Sequence, residues 1–259
     1  MDTASGDSVE NSARHMLGSA LTPPRVNMAR RVETLAKIAL FCSLKPVEVQ
    51  RLDTQCSWRR ASAKDWIIDY QDQGNDVFFV VSGRVHVKLQ APSGREVILR
   101  EIKEGEFFGE LAAIDKLPRS SGIVALTEVT IARMPALVFR DAVHTHTDVC
   151  DKLLALLACQ IRTLANRVNE FTNLDAKYRI YAEILRLSRP VTGNPKQAVV
   201  SPPPAHAEIA ARVSIRREAV ARELKSLERS GLLERRRGAL VLTDVNKLRK
   251  AIDDASGMD

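Results

Sequence analysis

The sequence predicts an α+β fold in three parts: an antiparallel β-roll, one long helix, and a C-terminal module of two short helices followed by a β-hairpin. Three observations carry this. Between Ser57 and Met134 short β-rich runs recur at about 8–12-residue spacing, broken by turn residues, the pattern of an antiparallel sandwich or roll. Over residues 141–173 the apolar period changes to that of a helix, and the basic surplus lies almost entirely after residue 180.

Taken in order, residues 1–32 are polar and patternless and are expected to be a flexible N-terminal extension. Residues 33–140 are the expected roll domain. It opens on two short helices marked by Leu35, Ile38, Leu40 and Phe41, then by Val47, Val49 and Leu52, with Lys45-Pro46 between them. Strands follow at Trp66-Ile67-Ile68, Val77–Val81, Val85–Leu89, Val97-Ile98-Leu99 and Val129-Thr130-Ile131. Turns are expected at Gln73-Gly74-Asn75, Ser82-Gly83-Arg84, Pro92-Ser93-Gly94 and Glu104-Gly105.

In the 141–173 helix, Cys150, Leu154, Leu157, Ile161, Leu164, Val168 and Phe171 step alternately by four and three. Such a stripe either packs on the chain's own core or forms a seam with a second copy. A strict 3.5-residue repeat favours the seam of a parallel homodimer, because a helix on a globular core drifts from that period. Residues 174–259 form the last module. A short helix over 176–187 leads into Pro190, Gly193-Asn194-Pro195 and Ser201-Pro202-Pro203-Pro204, read as a connector.

Composition narrows the function classes. The 259 residues are 45% hydrophobic and 27% charged, ordinary for a folded globular chain. No apolar run approaches the ~18–20 residues of a membrane span, and no leader is visible at the N-terminus. Cys42, Cys56, Cys150 and Cys159 have no paired spacing, which predicts reduced thiols in a cytoplasm. The net charge of +7 suggests a polyanion partner if the excess is localised, and it is: residues 181–250 hold 15 Lys and Arg against 7 Asp and Glu.

Within that basic block, Ile209, Ala210 and Val213 have helical spacing. A second helix then starts at Ser214, with Ala219, Val220, Leu224 and Leu227 as its apolar face. Arg216, Arg217, Glu218, Arg222 and Lys225 fall on the opposite face. Arginine in a helix's first turn opposes the positive end of the helix dipole, a poor choice unless an anion is to be met there. Arginine forks match guanine edges and Glu accepts from cytosine, so these five residues are the expected DNA readers. Two β-runs around Arg235-Arg236-Arg237 make a basic hairpin able to reach phosphate.

A second anion site is expected inside the roll. Phe107-Phe108-Gly109-Glu110-Leu111-Ala112-Ala113 is followed by Arg119-Ser120-Ser121. Gly109 permits close backbone approach, the turn after it presents N–H donors, and Arg119 with Ser120 suits a phosphate. Glu110 would repel a phosphate unless it accepts from a hydroxyl, as acidic residues do for ribose.

Residues 208–227 resemble the helix-turn-helix of the cyclic-AMP receptor protein / fumarate-nitrate regulator (Crp/Fnr) family. The family's Arg-Glu-x-x-x-Arg pattern falls on Arg217, Glu218 and Arg222. Ser214 stands where the family has a turn glycine, and Arg216 where it has a capping serine. The 107–121 stretch resembles the phosphate-binding cassette of cyclic-nucleotide-binding domains. The resemblance, over residues 33–250, implies Glu110 on the ribose 2′-OH, Arg119 and Ser120 on the cyclic phosphate, and Gly109, Leu111 and Ala112 contributing backbone and shape, with Ser121 a further donor beside Ser120. It also implies a cyclic nucleotide, cAMP or cGMP, as allosteric ligand, double-stranded DNA as target, a homodimer, and RNA polymerase as partner if the protein activates. Alignment places Leu164 and Ala165 where the receptor protein has its adenine-contacting Thr and Ser, so the resemblance leaves the base open; Thr163 and Asn166 flank that pair.

Other chemistries fit less well. Cys42 and Cys56 are too few to hold an iron–sulfur cluster. His144 and His146 lack a third ligand at suitable spacing and are expected at the surface, and His86 is expected to be structural. The sequence holds no nucleophile–base pair and no Walker loop, so no catalytic residue, metal or cofactor is expected. A regulator of the same fold with another ligand or none, and more distantly a β-roll enzyme, are the alternatives.

Overall fold

A computed structural model describes residues 33–90 and 96–257. The N-terminal extension expected over residues 1–32 and the turn at Pro92-Ser93-Gly94 lie outside these residues. Among them no helix is long and apolar enough to cross a membrane.

Two 3-10 turns (Leu35–Lys37 and Ala39–Phe41) and α1 (Pro46–Thr54) precede the roll. Pro46 at the first position of α1 and the Glu48 carboxylate accepting from the Lys45 amide at 2.8 Å set that helix's start. The roll is two four-stranded antiparallel sheets. One runs β1 (Ser57–Ala61), β8 (Val129–Met134), β3 (Val77–Ser82), β6 (Phe107–Phe108); the other runs β2 (Trp66–Ile68), β7 (Gly122–Ala125), β4 (Arg84–Gln90), β5 (Glu96–Lys103). The inner faces enclose Phe78, Val80 and Ile131 from the first sheet with Val85, Ile102 and Ile123 from the second. The outer face of the first sheet carries a second core in which Phe79 meets Phe41, Phe107 and Phe139. A short helix α2 (Glu110–Asp115) sits between β6 and β7.

The 141–173 segment is not one helix. It belongs to α3 (Ala136–Thr145) and α4 (Thr147–Asn173), separated at His146, whose backbone is extended (φ −115°, ψ 102°). The break lets α3 and the first turns of α4 pack on the roll separately: Phe139, Ala142 and Val143 from one, Val149 and Leu153 from the other.

The C-terminal module has α5 (Ala176–Leu187), α6 (His206–Val213), α7 (Arg217–Arg229) and α8 (Val245–Ser256), with a sheet ordered β11-β12-β10-β9. Strands β9 (Arg189–Val191) and β10 (Asn194–Val200) occupy the expected connector, while β11 (Leu233–Arg236) and β12 (Ala239–Leu242) form the expected hairpin. Pro190 is accommodated because β9 is an edge strand, where a missing N–H leaves no ladder bond broken. Val220, Leu224 and Leu227 of α7 pack with Ile180, Ile184, Ile209, Leu240 and Leu248 in one core.

The second helix of the helix-turn-helix starts later than expected. Ser214 is the C-cap of α6, in the left-handed conformation (φ 55°, ψ 46°) that explains why a glycine is the easier residue there. Arg216 is the N-cap of α7 and supplies no side-chain cap.

Candidate nucleotide and DNA sites

A cavity of about 480 Å³ opens between the second sheet, the β6–α2 corner and α4, within the ~300–1,000 Å³ range of small-molecule sites. All seven residues expected from the sequence line it: Gly109, Glu110, Leu111, Ala112, Arg119, Ser120 and Ser121. Ile68, Val87, Leu99, Ile102, Phe108 and Ile123 supply an apolar wall.

Arg119 is 4% exposed. Its backbone is fixed by N–H donation to the Asp72 carbonyl at 2.9 Å and by acceptance from the Gln71 amide at 3.0 Å. Nη1 donates to the Gly109 carbonyl at 2.9 Å and Nη2 to the Asp76 carbonyl at 2.8 Å, while the guanidinium lies over the Phe78 ring, itself stacked on Phe108. Neutral carbonyls, rather than the Glu110 carboxylate, therefore hold the fork. Arg119 Nε is buried without a partner. Burial presses the pKa of this guanidinium down, against the pull of Asp72 and Asp76.

Gly109 takes φ +85°, and a Cβ there would lie 2.7 Å from Arg119 Nη1 and 3.0 Å from the Asp76 carbonyl. Glycine is thus required for both the turn and the arginine's seat. Gly109→Ala is expected to cost at least about 1–2 kcal/mol from the left-handed backbone alone, read as a lowered urea midpoint. Next to it, Glu110 is 5% exposed and its pKa is raised, mainly by desolvation, with its own backbone amide, Arg100 and Arg119 opposing.

The long helix contributes Leu156, Cys159, Gln160, Thr163, Leu164 and Arg167 to the cavity wall. Leu164 and Thr163 line it, whereas Ala165 and Asn166 stand outside the lining set. The Thr163 hydroxyl donates to the Cys159 carbonyl at 2.9 Å. Sequence reasoning missed four polar liners, Arg100, Glu106, Gln160 and Arg167. Arg100 was legible: it stands two residues from Ile102 on one face of β5, an arginine in an inward-facing row. His86, expected to be structural, is surrounded by Glu101, Glu208 and Arg212.

The seam residues separate into two groups. Leu154, Ile161, Leu164 and Val168 are 59%, 67%, 51% and 65% exposed, and Phe171 is also exposed. Cys150 and Leu157 are half-buried against the roll's outer core, because the first half of α4 lies on it. The stripe thus packs on the chain's own roll at Cys150 and Leu157, and faces outward at Leu154, Ile161, Leu164, Val168 and Phe171.

On the DNA-binding module, Arg216, Arg217, Glu218, Arg222 and Lys225 are all exposed along one side of α7, opposite its buried Val220–Leu224–Leu227 stripe. In the hairpin, Arg235 pairs with Glu228, and Arg236 with Glu234 at 3.0 Å, so two of the three wing arginines have carboxylate partners.

A β-roll with an arginine-bearing cavity, joined through a long helix to a winged helix-turn-helix, defines a DNA-binding transcription regulator. The chain matches the cyclic nucleotide-binding domain over residues 58–146 and the Crp-like helix-turn-helix domain over residues 178–251. It belongs to the Crp/Fnr family of transcription regulators. It is 28% identical over 200 residues to the cAMP-activated global transcriptional regulator Vfr of Pseudomonas aeruginosa, covering 76% of this chain and 94% of Vfr. Among solved structures it is similar to a CooA mutant from Carboxydothermus hydrogenoformans (TM-score 0.67, 23% identity, 77% of this chain and 88% of that one). It is also similar to the c-di-GMP responsive global regulator CLP of Xanthomonas campestris (TM-score 0.64, 21% identity, 76% and 99%).

Proposed function

We propose that this protein is a homodimeric regulator in the cytoplasm that binds a cyclic nucleotide, cAMP or cGMP, in the roll as an allosteric ligand and a two-fold operator through paired α7 helices. The functional division runs from the roll (33–140) through the dimer helix, which begins at Thr147, to the DNA-binding domain that follows Asn173. The carrying observation is Arg119, a buried guanidinium held by neutral carbonyls and left with an unpartnered Nε in a largely apolar cavity. A buried cation of this kind calls for an anion, and Ser120 and Ser121 beside it supply hydroxyl donors for a phosphate. Glu110, desolvated at the mouth of α2, suits the neutral hydroxyl of a ribose rather than a second cation. Gly109, Leu111 and Ala112 shape the wall. A phosphate-bearing ligand seated against both the cassette and α4 biases the arrangement of the dimer helices, and with it the spacing of the two α7 helices. If the protein activates transcription, RNA polymerase is a further partner.

Calorimetry of the purified protein with cAMP and with cGMP tests the sensing half. Binding of either at micromolar concentration supports it, and no heat from both sinks it in favour of a same-fold regulator with another ligand or none.

For the DNA half, Arg217→Ala is expected to weaken operator binding by about 1–3 kcal/mol and relax base choice at one position. Equal losses on operator and random duplex, in a mobility-shift competition, would reduce Arg217 to a phosphate contact.

A further inference from the structure

Seven charged residues and one histidine from four parts of the chain meet in a network between the roll and the DNA-binding domain. Arg212, on α6, is 5% exposed, and its Nη2 lies 2.9 Å from Glu208 Oε1, 3.3 Å from Glu101 Oε2 and 3.4 Å from His86 Nε2. His86 and Glu101 face each other across the β4–β5 pair. Arg84 Nη1 reaches Glu101 from the same sheet at 3.3 Å. His86, whose Nε2 lies 3.8 Å from Glu101 Oε2, then Arg84 and Arg212, hold the Glu101 carboxyl down at about 2 against desolvation. Nη1 of Arg212 is 3.6 Å from Glu183 Oε1, on α5. Glu183 is 0% exposed; Arg167, on α4, donates from Nη1 to its Oε2 at 3.2 Å, and Arg186 of α5 donates to the same oxygen. Arg167 Nη2 donates to the Arg212 backbone carbonyl.

His86, Glu101 and Glu208 also bring their ligand atoms within 4.8 Å of one another, a spacing that admits a metal ion. The Arg212 guanidinium stands among those three atoms, however, so the cluster already contains its cation.

Arg167 is the residue with two addresses. It lines the ligand cavity, yet both of its terminal nitrogens point away from it, into the network. We propose that the network is a clasp holding α6 on β4 and β5, and that Arg167 couples the clasp to the cavity. A ligand acceptor that engages the Arg167 fork takes it from Glu183 and from the Arg212 carbonyl. A fully buried carboxylate then loses one of its cations, and a helix-end carbonyl loses its donor, so ligand binding and domain docking oppose each other. Linkage makes the opposition mutual: loosening the clasp must tighten ligand binding by the same factor. This coupling rests on the nucleotide reading of the cavity.

Glu208→Gln tests it, because Glu208 belongs to the clasp and stands outside the cavity wall. The full-length variant is expected to bind the cyclic nucleotide about fivefold more tightly than the unaltered protein. Hydrogen exchange in α6 should rise both in the ligand-free variant and in the unaltered protein on adding nucleotide. Glu101→Gln, on the roll side of the same contact, should repeat the result if Glu208→Gln folds poorly. With Arg167→Met in the background, Glu208→Gln should change affinity by less than about twofold, since the coupling residue is gone. A general loss of structure weakens binding, so tightening is a readout that packing damage does not produce. Unchanged or weaker nucleotide binding by both glutamine variants overturns the coupling and leaves the site reading intact. Absence of binding by the unaltered protein overturns the site reading and the coupling together.

Discussion

Arg119→Leu is expected to lower cyclic-nucleotide affinity by about 100-fold or more, the largest loss of any single change in the cavity. Removing one partner of a desolvated, hydrogen-bonded charge pair costs on the order of 2–5 kcal/mol, and each 1.4 kcal/mol is about tenfold in affinity. Leucine keeps apolar bulk against Phe78 but removes the fork that holds the Gly109 and Asp76 carbonyls. Some stability is therefore lost with it, and circular dichroism with a urea titration must accompany the calorimetry. Arg119→Lys separates the two effects. It keeps the charge but not the bidentate geometry, so it should bind with an intermediate loss. Binding by Arg119→Leu within about threefold of the unaltered protein would remove the anion from the account. The operator should report the same event, because a regulator that cannot bind its nucleotide cannot be switched by it.

The cassette around Arg119 was legible because its chemistry is local. Gly109, Glu110 and Arg119 lie within eleven positions, and a left-handed glycine, a buried acid and an arginine seated on the glycine's own carbonyl all fall inside one corner. The recognition helix was legible for the same reason, its apolar and basic faces being written at helical spacing. The clasp was not. Arg212 and Glu101 are 111 residues apart and Arg212 and His86 are 126 apart, so no window of sequence contains both sides of the contact. Each member alone looks like an ordinary charged residue, and His86 alone looks like an isolated one. The strands β9 and β10 were hidden by Pro190 and Pro195, which read as a connector unless the strand is known to lie at a sheet edge. The α3–α4 break was hidden because His146 interrupts the backbone without interrupting the apolar pattern around it.

Ile161→Glu is expected to convert the protein to a folded monomer and to cut operator affinity by about 100-fold or more. Leu154, Ile161, Leu164 and Val168 form a continuous exposed apolar row on α4, and the cores of the roll and of the DNA-binding module are complete without it. Ile161 is 67% exposed and stands outside the cavity wall, so a glutamate there costs the monomer little and disturbs no ligand contact. Across a parallel seam the same position meets its own copy, placing two carboxylates in an apolar interface where neither has a partner. The effect on DNA follows from geometry. Two α7 helices joined by a dimer occupy successive major grooves about 34 Å apart, and linking two half-site contacts raises affinity by roughly 10²–10⁴ over one alone. Light scattering should therefore show half the mass of the unaltered protein, with circular dichroism unchanged. Mobility shifts should show operator binding falling towards the affinity of a single half-site. Nucleotide binding divides the outcome further: retention by the monomer means that one chain's cassette and α4 complete the site, and loss means that the second chain's helix closes it. A variant that stays dimeric at micromolar concentration would move the dimer interface off this face of α4.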